Sequence, residues 1–438
     1  MAIEALYIHV PFCASKCFYC DFDSRPCKRS SQQLDSYTDR MIQRIHAYGS
    51  LGYLSAVKTV FFGGGTPSLL AERLVDILRA IESFCSPEEV SFEANPDSLT
   101  YELALHMKQA GATRVSIGVQ SFCDNELASV GRIHTADEAR AAIDAAHRAG
   151  LVASCDLMCG LPHQTLDSWK VSVSAAIECG VEHVSVYPLM VMENTPLYSM
   201  VEANDSLEPD EDLQADMMDI ACEMFSQQGF DQYEVASYAR PGCCCQHNVS
   251  YWTGVEYLGL GRSASSMISY DTYKQLVQDG LLPSLFEGQD HDVCHSDDAS
   301  GPSRVRFTQG QDLSVEDELA AGMFEVETLT AREAAAEDLM LGARLHAGIP
   351  YTTICRALDA IGEQAVFGAI HAALERDLLC LEPDAYVVKS KRELTINAQF
   401  DKDKFVNYVG YRDCGLKPTH KGWLLGNELF ELFWDLAE

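Results

Sequence analysis

The strongest constraint in this chain is an alternation that runs through its first 190 residues. Six short runs rich in β-branched and aromatic residues recur: LYIHV (6–10), VKTVFF (57–62), EVSFEA (89–94), RVSIGVQ (114–120), VASCDLM (152–158) and HVSVYPL (183–189). Amphipathic stretches of helical period lie between them, at 69–84, 98–111, 135–150 and 165–180. Strand–helix repetition of this kind predicts a parallel sheet or barrel. Six units predict an α/β fold, a partial (β/α)6 barrel open on one side. A doubly wound open sheet has the same periodicity and stays as the alternative.

The chemically unusual residues cluster where these runs end. Cys13 to Cys20 follow the first, GGGTPS (63–68) the second, Glu93 and Asn95 close the third, Gln120 ends the fourth and Asp156 lies in the fifth. Parallel α/β folds gather their loops at the carboxyl ends of the strands, and chemistry sits there. Five such residues in succession predict one shared site.

Beyond Tyr198 the pattern changes. A helix over 208–228 leads to FDQYEVASYA, read as one further strand, and then to PGCCCQHNVSYWTGVEYLGLGRSASS. Residues 283–316 lack periodicity and read as a long surface loop. Helical stretches follow from about 330, then LCLEPDAYVV as a hairpin, and HKGWLLGNELFELFW (420–434) as a closing helix. Three helices with a hairpin predict a mostly helical, winged-helix-like C-terminal domain. The expected division is 1–205 for the barrel, 206–325 for a barrel extension and 326–438 for the C-terminal domain.

Charge excludes one broad class. With 65 acidic against 32 basic residues the formal net charge is −33, which repels phosphate backbones. No nucleic-acid partner is expected, and RNA modification is disfavoured. No apolar run reaches the ~18 residues of a membrane span, and MAIEALYIHVPF carries no basic signal-peptide region. Seventeen cysteines in a chain without a signal fit a reduced cytoplasm and a metal cluster better than disulfides. Most of the others, Cys85, Cys155, Cys222 and Cys380 among them, are expected as small core residues.

Cys13, Cys17 and Cys20 have the spacing C-x3-C-x2-C. Thiolates at this density bind zinc or an iron–sulfur cluster. Structural zinc takes a closed set of four ligands; three cysteines leave one iron of a [4Fe-4S] cluster without a protein ligand. GGGTPS lacks the lysine of a phosphate loop, and its glycines admit close backbone approach to a ligand.

The C-x3-C-x2-C spacing resembles the signature of the radical S-adenosylmethionine superfamily. YIHVPFCASKCFYCDF, FFGGGTPS, EANPDS, RVSIGVQSF, GRIHTADEA and DLMCGLPHQT together resemble the oxygen-independent coproporphyrinogen III oxidase-like family. The resemblance implies that Cys13, Cys17 and Cys20 hold a [4Fe-4S] cluster whose fourth iron binds S-adenosylmethionine. It implies that Tyr7, Tyr19, Gly64, Gly65, Thr66, Glu93, Gln120, Arg132 and Asp156 line the S-adenosylmethionine site. It also implies one-electron reduction of the cluster by a donor, with reductive cleavage of the sulfonium to methionine and a 5′-deoxyadenosyl radical.

Two subgroups divide that family. The oxidases resemble C-x3-C-x2-C-x-C and carry an N-terminal extension before the Tyr-Ile-His motif. Here Phe22 occupies the fourth cysteine's place and Tyr7 stands near the start. His247-Asn248-Val249-Ser250-Tyr251-Trp252 is similar to the H-N-x-x-Y-W motif of the heme chaperones of the HemW type, and KPTHKGWLLGNELFELF resembles their closing motif. That subgroup implies heme as a further cofactor, with His247, Tyr251 and Trp252 as candidate heme residues. A neutral imidazole is a common axial ligand. Apo-hemoproteins of the respiratory chain are the implied recipients. The implied location is the cytoplasm, with transient membrane association through partners, and heme or cluster could bridge a homodimer. Cys243, Cys244 and Cys245 match no family pattern; one thiolate could compete with His247 for heme iron. The alternative activity is that of an oxygen-independent coproporphyrinogen III oxidase, which converts two propionates to vinyl groups.

Overall fold

The structure is a computed structural model that describes residues 3–284, 301–310, 324–381 and 416–437. Strands β1 (Ala5–Val10), β2 (Thr59–Gly64), β3 (Glu89–Ala94), β4 (Arg114–Gln120), β5 (Val152–Cys159) and β6 (His183–Pro188) are neighbours in sequence order and all parallel. An order without a reversal point is that of a barrel and not of a doubly wound sheet. The sheet does not close: β1 and β6 each pair outward, so the six-unit barrel is open on one side as expected.

The crossover helices begin and end where local chemistry allows. Thr100, Thr135 and Thr165 cap the helices Tyr101–Gln109, Ala136–Ala149 and Leu166–Glu178, and Thr135 with Glu138 forms a reciprocal capping box. Gly150 ends the second of these at φ 79°, a left-handed cap that glycine adopts without a Cβ penalty. One face of the strands is apolar and buried against the helices: Leu6, Ile8, Val10, Val60, Phe62, Phe92, Val115 and Ile117. The alternate positions, Tyr7, Glu93, Ser116 and Asp156 among them, face the barrel interior.

Both edges are extended. On one side β8 (Ser237–Ala239) and β7 (Asp231–Glu234) add antiparallel to β6. FDQYEVASYA therefore forms two strands with a turn, and not one. On the other side β9 (Tyr257–Leu260) pairs parallel with β1, followed by β10 (Ser265–Ser269), β11 (Arg304–Gln309) and β12 (Phe324–Leu329) in antiparallel order.

Strand β11 corrects the expected loop at 283–316. Val305, Phe307 and Gln309 alternate inward, a period of two that glycine- and serine-rich flanks obscure. The remainder of that loop, 285–300 and 311–316, lies outside the described residues.

A separate core belongs to the C-terminal region. Helices Ala331–Gly342, Tyr351–Ala360, Glu363–Glu375 and Gly426–Trp434 bury Leu339, Ile354, Ile370 and Phe433 together. Leu379–Leu381 pairs antiparallel with Leu416–Pro418. The expected hairpin arm at 383–388 lies outside the described residues; the strand that faces 379–381 comes from much further along. The closing helix breaks at Leu425 into His420–Leu424 and Gly426–Trp434. Cys380 is exposed, on the outer side of its strand, and is not a core residue. Arg304 grips Asp338 through two bonds of 2.6 and 2.8 Å, and Arg306 pairs with Glu337; these fasten the sheet extension to the first C-terminal helix. Among the described residues no helix is long and apolar enough to cross a membrane.

Candidate functional site

The loop after β1 carries the three spaced cysteines, and neighbouring elements hold it at many points. Phe18 N donates to Val130 O at 3.0 Å, Arg25 N to Pro11 O at 2.9 Å and Cys27 N to Cys13 O at 2.8 Å. Two hydrogen-bond donors point at the sulfurs. Thr66 Oγ1 donates to Cys13 Sγ at 3.4 Å, and Arg132 Nη1 donates to Cys17 Sγ at 3.5 Å. Burial pushes the Cys13 thiol up and the Cys20 thiol up to about 11, and the neighbouring cysteines push both further. Such thiols stay protonated unless a metal takes the proton's place.

The donor set fits a cluster better than a single ion. Among the described residues no three His, Cys, Asp or Glu side chains are grouped to hold a metal ion. A four-iron cube takes one thiolate per corner, so its ligands stand wider apart than those of zinc. Donors aimed at the sulfurs also suit an anionic cluster.

The glycine stretch at the end of β2 packs on this loop. Gly65 N donates to Val10 O at 2.8 Å and Thr66 N to Phe12 O at 2.7 Å. A Cβ on Gly65 would stand 2.6 Å from the Phe12 carbonyl oxygen and 2.9 Å from that of Val10. Gly64, at φ 108°, has the His9 ring at 2.6 Å from a Cβ position. Glycine is needed here for backbone approach.

Below this level the barrel interior is acidic. Gly64 N donates to Glu93 Oε2 at 3.1 Å, and Ser116 Oγ lies 3.1 Å from both oxygens of Asp156. Burial, then the charge of Asp156, pushes Glu93 up to about 8; burial pushes Asp156 up to about 6. Both line a cavity of about 180 Å³ that Tyr7 and Tyr187 share. Two buried carboxyls beside an unfilled volume suit a ligand that brings positive charge or hydroxyl donors.

Arg132 joins the two levels. Besides Cys17, its Nη2 reaches Asn95 Oδ1 at 3.1 Å and the Gly118 carbonyl, while its buried Nε has no partner. An orphaned guanidinium nitrogen beside the three thiols fits a ligand carboxylate. Gln120 is buried at φ 68°, where the register of β4 slips between Gly118 and Gln120. A left-handed non-glycine residue at a strand end is local strain of the kind found at ligand sites. Tyr19 is a partly buried neighbour of the satellite apolar cluster built on Val130 and Leu189. Burial holds its hydroxyl protonated.

Sequence reading missed several residues that support this arrangement. Asp23 pairs with Arg262 and accepts from Ser263 Oγ at 2.6 Å, which ties the cysteine loop to the turn after β9. His9 Nε2 lies 3.2 Å from the Asp23 carbonyl. These partners are far apart in sequence, and no local pattern announces them.

The HNVSYW segment lies in a helix, Gln246–Trp252, and His247 and Tyr251 share one face of it, turned inward. His247 is 0% exposed. Its Nδ1 meets Thr59 Oγ1 at 2.9 Å and its Nε2 meets Tyr251 Oη at 2.9 Å, while its ring stacks on Phe61 at 5.2 Å. Burial depresses its pKa to about 3, so the imidazole is neutral. For His247 to ligate iron, one of these bonds must open. Trp252 lies under the Arg344 guanidinium at 5.0 Å, a packing contact with the C-terminal region. Glu89 accepts from Gln246 N at 3.0 Å and His247 N at 2.9 Å, capping the helix. Cys243 and Cys244 are half-buried; Cys245 is buried, its thiol pushed up to about 12 by burial, and it donates to Glu89.

Comparison with known proteins agrees with this picture. Residues 7–175 match the Radical SAM superfamily. The chain is 36% identical over 271 residues to the heme chaperone HemW of Escherichia coli, covering 61% of this chain and 70% of that protein. It is 35% identical over 325 residues to the heme chaperone HemW of Mycobacterium tuberculosis H37Rv, covering 70% and 83%. Among solved structures, the coproporphyrinogen III oxidase HemN of Escherichia coli superposes with a TM-score of 0.68 at 18% identity, over 99% of this chain and 90% of that one. That last likeness speaks for the fold alone.

Proposed function

The chain belongs to the heme chaperone HemW family of radical S-adenosylmethionine proteins, and from that premise we propose that it binds heme and hands it to apo-hemoproteins. The observation that carries this reading is identity of 35–36% extending over 70–83% of two proteins named for that role. Phe22 in place of a fourth loop cysteine supports it against the oxidase alternative. Radical S-adenosylmethionine proteins carry a [4Fe-4S] cluster and S-adenosylmethionine, and the residues present fit both.

In this reading Cys13, Cys17 and Cys20 hold the cluster, with the Thr66 hydroxyl and the Arg132 guanidinium stabilising the charge on their sulfurs. Arg132 also orients a carboxylate through its free Nε. Glu93 and Asp156 accept from ammonium or ribose hydroxyl groups, Tyr7 and Gln120 shape the cavity wall, and Gly64 and Gly65 let the ligand reach backbone. Tyr19 covers the loop from solvent. The cluster, when bound and reduced, supplies an electron to the sulfonium. The protein's own work is to orient that ligand and exclude water. Recipients among respiratory hemoproteins, an electron donor, a cytoplasmic location and a heme- or cluster-bridged dimer complete the proposal.

Anaerobic reconstitution with heme and coproporphyrinogen III offered in parallel tests it. Stable heme binding, transfer to an apo-hemoprotein and no decarboxylation are expected. Formation of protoporphyrinogen would overturn the reading in favour of the oxidase.

A further inference from the structure

In a chain this acidic, the segment that carries the three cysteines is basic. Between Ala14 and Ser31 four basic residues, Lys16, Arg25, Lys28 and Arg29, stand against two acidic ones, Asp21 and Asp23. Arg262 neutralises Asp23. The rest of the chain has more than twice as many acidic as basic residues. The segment folds back beside the cysteines: Arg25–Pro26 lies parallel to Phe12–Cys13, with Arg25 opposite Phe12 and Pro26 opposite Cys13. Lys28 and Arg29 follow directly, so the basic residues flank the loop that carries Cys17 and Cys20.

These charges face solvent. Arg25, Lys28 and Arg29 are exposed, and none of them makes an ion pair among the described residues. Arg29 acts at longer range on the Asp97 carboxyl, and Asp21 is the exposed acid of the segment. Lys16 Nζ donates to the Phe22 carbonyl at 3.0 Å, and Phe22, two residues past Cys20, is 62% exposed. An exposed aromatic among unpaired positive charges has the anatomy of a small docking face, an apolar centre with a polar rim. The inner side of the same loop is taken by the Gly65 and Thr66 backbone and by Arg132. An electron bound for the cluster therefore enters most directly from solvent, across Cys17 or Cys20, both half-buried. Tunnelling falls steeply with distance, so a donor must touch this side of the loop.

We propose that this face docks a small acidic protein that carries single electrons on a flavin or an iron–sulfur centre. The proposal rests on the cluster reading above and adds where the donor sits and which charge its surface bears. One electron passes from the reduced carrier to the oxidised cluster, [4Fe-4S]2+ becoming [4Fe-4S]+; the carrier is oxidised by one electron, and no bond forms or breaks. Electron-transfer contacts are small, below ~1,200 Å², and charge complementarity sets how fast they form. Beyond a Debye length of ~8 Å the −33 charge of the whole chain is screened, so a small carrier meets the basic patch alone. An anionic bilayer is broad enough to meet the acidic remainder too, and fits the patch less well.

A flavodoxin, acidic and flavin-bearing, is the probe, offered to the full chain after anaerobic cluster reconstitution. Calorimetric titration should show binding at low salt that weakens at least about tenfold as the Debye length is shortened with added salt. Oxidised flavodoxin mixed with the photoreduced chain takes up one electron at a rate that reports docking. Riboflavin, neutral and without a protein shell, takes it up at a rate that reports the cluster alone. R25E/K28E/R29E should lose at least about tenfold in affinity and in the flavodoxin rate, yet keep the riboflavin rate and the cluster iron content. Phe22→Ser should weaken flavodoxin binding with the same controls unchanged. Unchanged affinity in the triple variant, or equal losses with both flavins, would overturn the proposal and leave the cluster reading standing. So would a wild-type chain that fails to bind flavodoxin; sedimentation with phosphatidylserine vesicles would then assign the face to a membrane. A wild-type chain that holds no iron after reconstitution would overturn both.

Discussion

Replacing Glu93 with Gln should remove a pH dependence that the wild-type fold carries. Glu93 is buried beside Asp156, and its pKa is pushed from 4.5 up to about 8. Between those two values the folded chain holds a proton that the unfolded chain has released. The native state is therefore favoured below pH 4.5 and loses that advantage as pH rises, completely so above about 8. At about 1.4 kcal/mol per pKa unit the ceiling is on the order of 5 kcal/mol. Water in the 180 Å³ cavity raises the local dielectric and leaves about half of that. Glu93→Gln keeps an acceptor for Gly64 N and never ionises. Urea unfolding of cluster-free chain at about pH 6 and about pH 8.5 measures the effect, through the midpoint and slope at each pH. The wild-type chain should lose on the order of 1 kcal/mol more than the variant across that interval, which spans only part of the range between 4.5 and 8. Parallel losses in the two proteins would refute the view that Glu93 is neutral in the empty site. A cationic ligand group beside the pair should pull both carboxyls down and release a proton on binding.

Gly65→Ala places a methyl 2.6 Å from the Phe12 carbonyl, a backbone atom that cannot rotate away; a cost of about 1–3 kcal/mol and reduced cluster iron are expected, read by thermal unfolding and iron assay. Glu89→Ala leaves Arg114 buried without its carboxylate and uncaps the Gln246–Trp252 helix, so a loss of about 3–5 kcal/mol is expected in chemical denaturation; an unchanged midpoint would contradict it. Phe22 is 62% exposed, and Phe22→Cys should alter neither stability nor cluster content nor confer decarboxylase activity; protoporphyrinogen production by the variant would show that one loop residue separates the two subgroups.

The barrel was legible because its information is local. Each strand is an apolar run, four of the crossover helices have a serine or threonine cap, and a parallel sheet with consecutive strands needs little else. The three cysteines were legible for the same reason: their spacing is contained in one loop. What remained hidden depends on distant partners. Strand β11 is six residues between segments without periodicity, and only β10 and β12 on either side make it a strand. The i, i+4 spacing of His247 and Tyr251 puts them on one face of a helix, but does not tell that the face turns inward onto Thr59 and Phe61. Arg114 reads in the sequence as the first residue of a strand; its role comes from Glu89 and Cys243, which no nearby pattern links to it.

The placement of β1 has a consequence for how the chain is made. It lies between Thr59–Gly64 and Tyr257–Leu260, so one of its two edges waits for a partner encoded far downstream. At about 5–20 residues per second, synthesis leaves that edge open for on the order of ten to forty seconds after Gly64 has emerged. An unpaired strand edge is sticky towards other chains. The cysteine loop at its tip lacks the ties of Asp23 for the same interval, because Arg262 and Ser263 arrive only after the missing strand. Ribosome-time exposure of the first strand is thus built into this topology, and the ion pair that ends it also closes the loop where the cluster would be held.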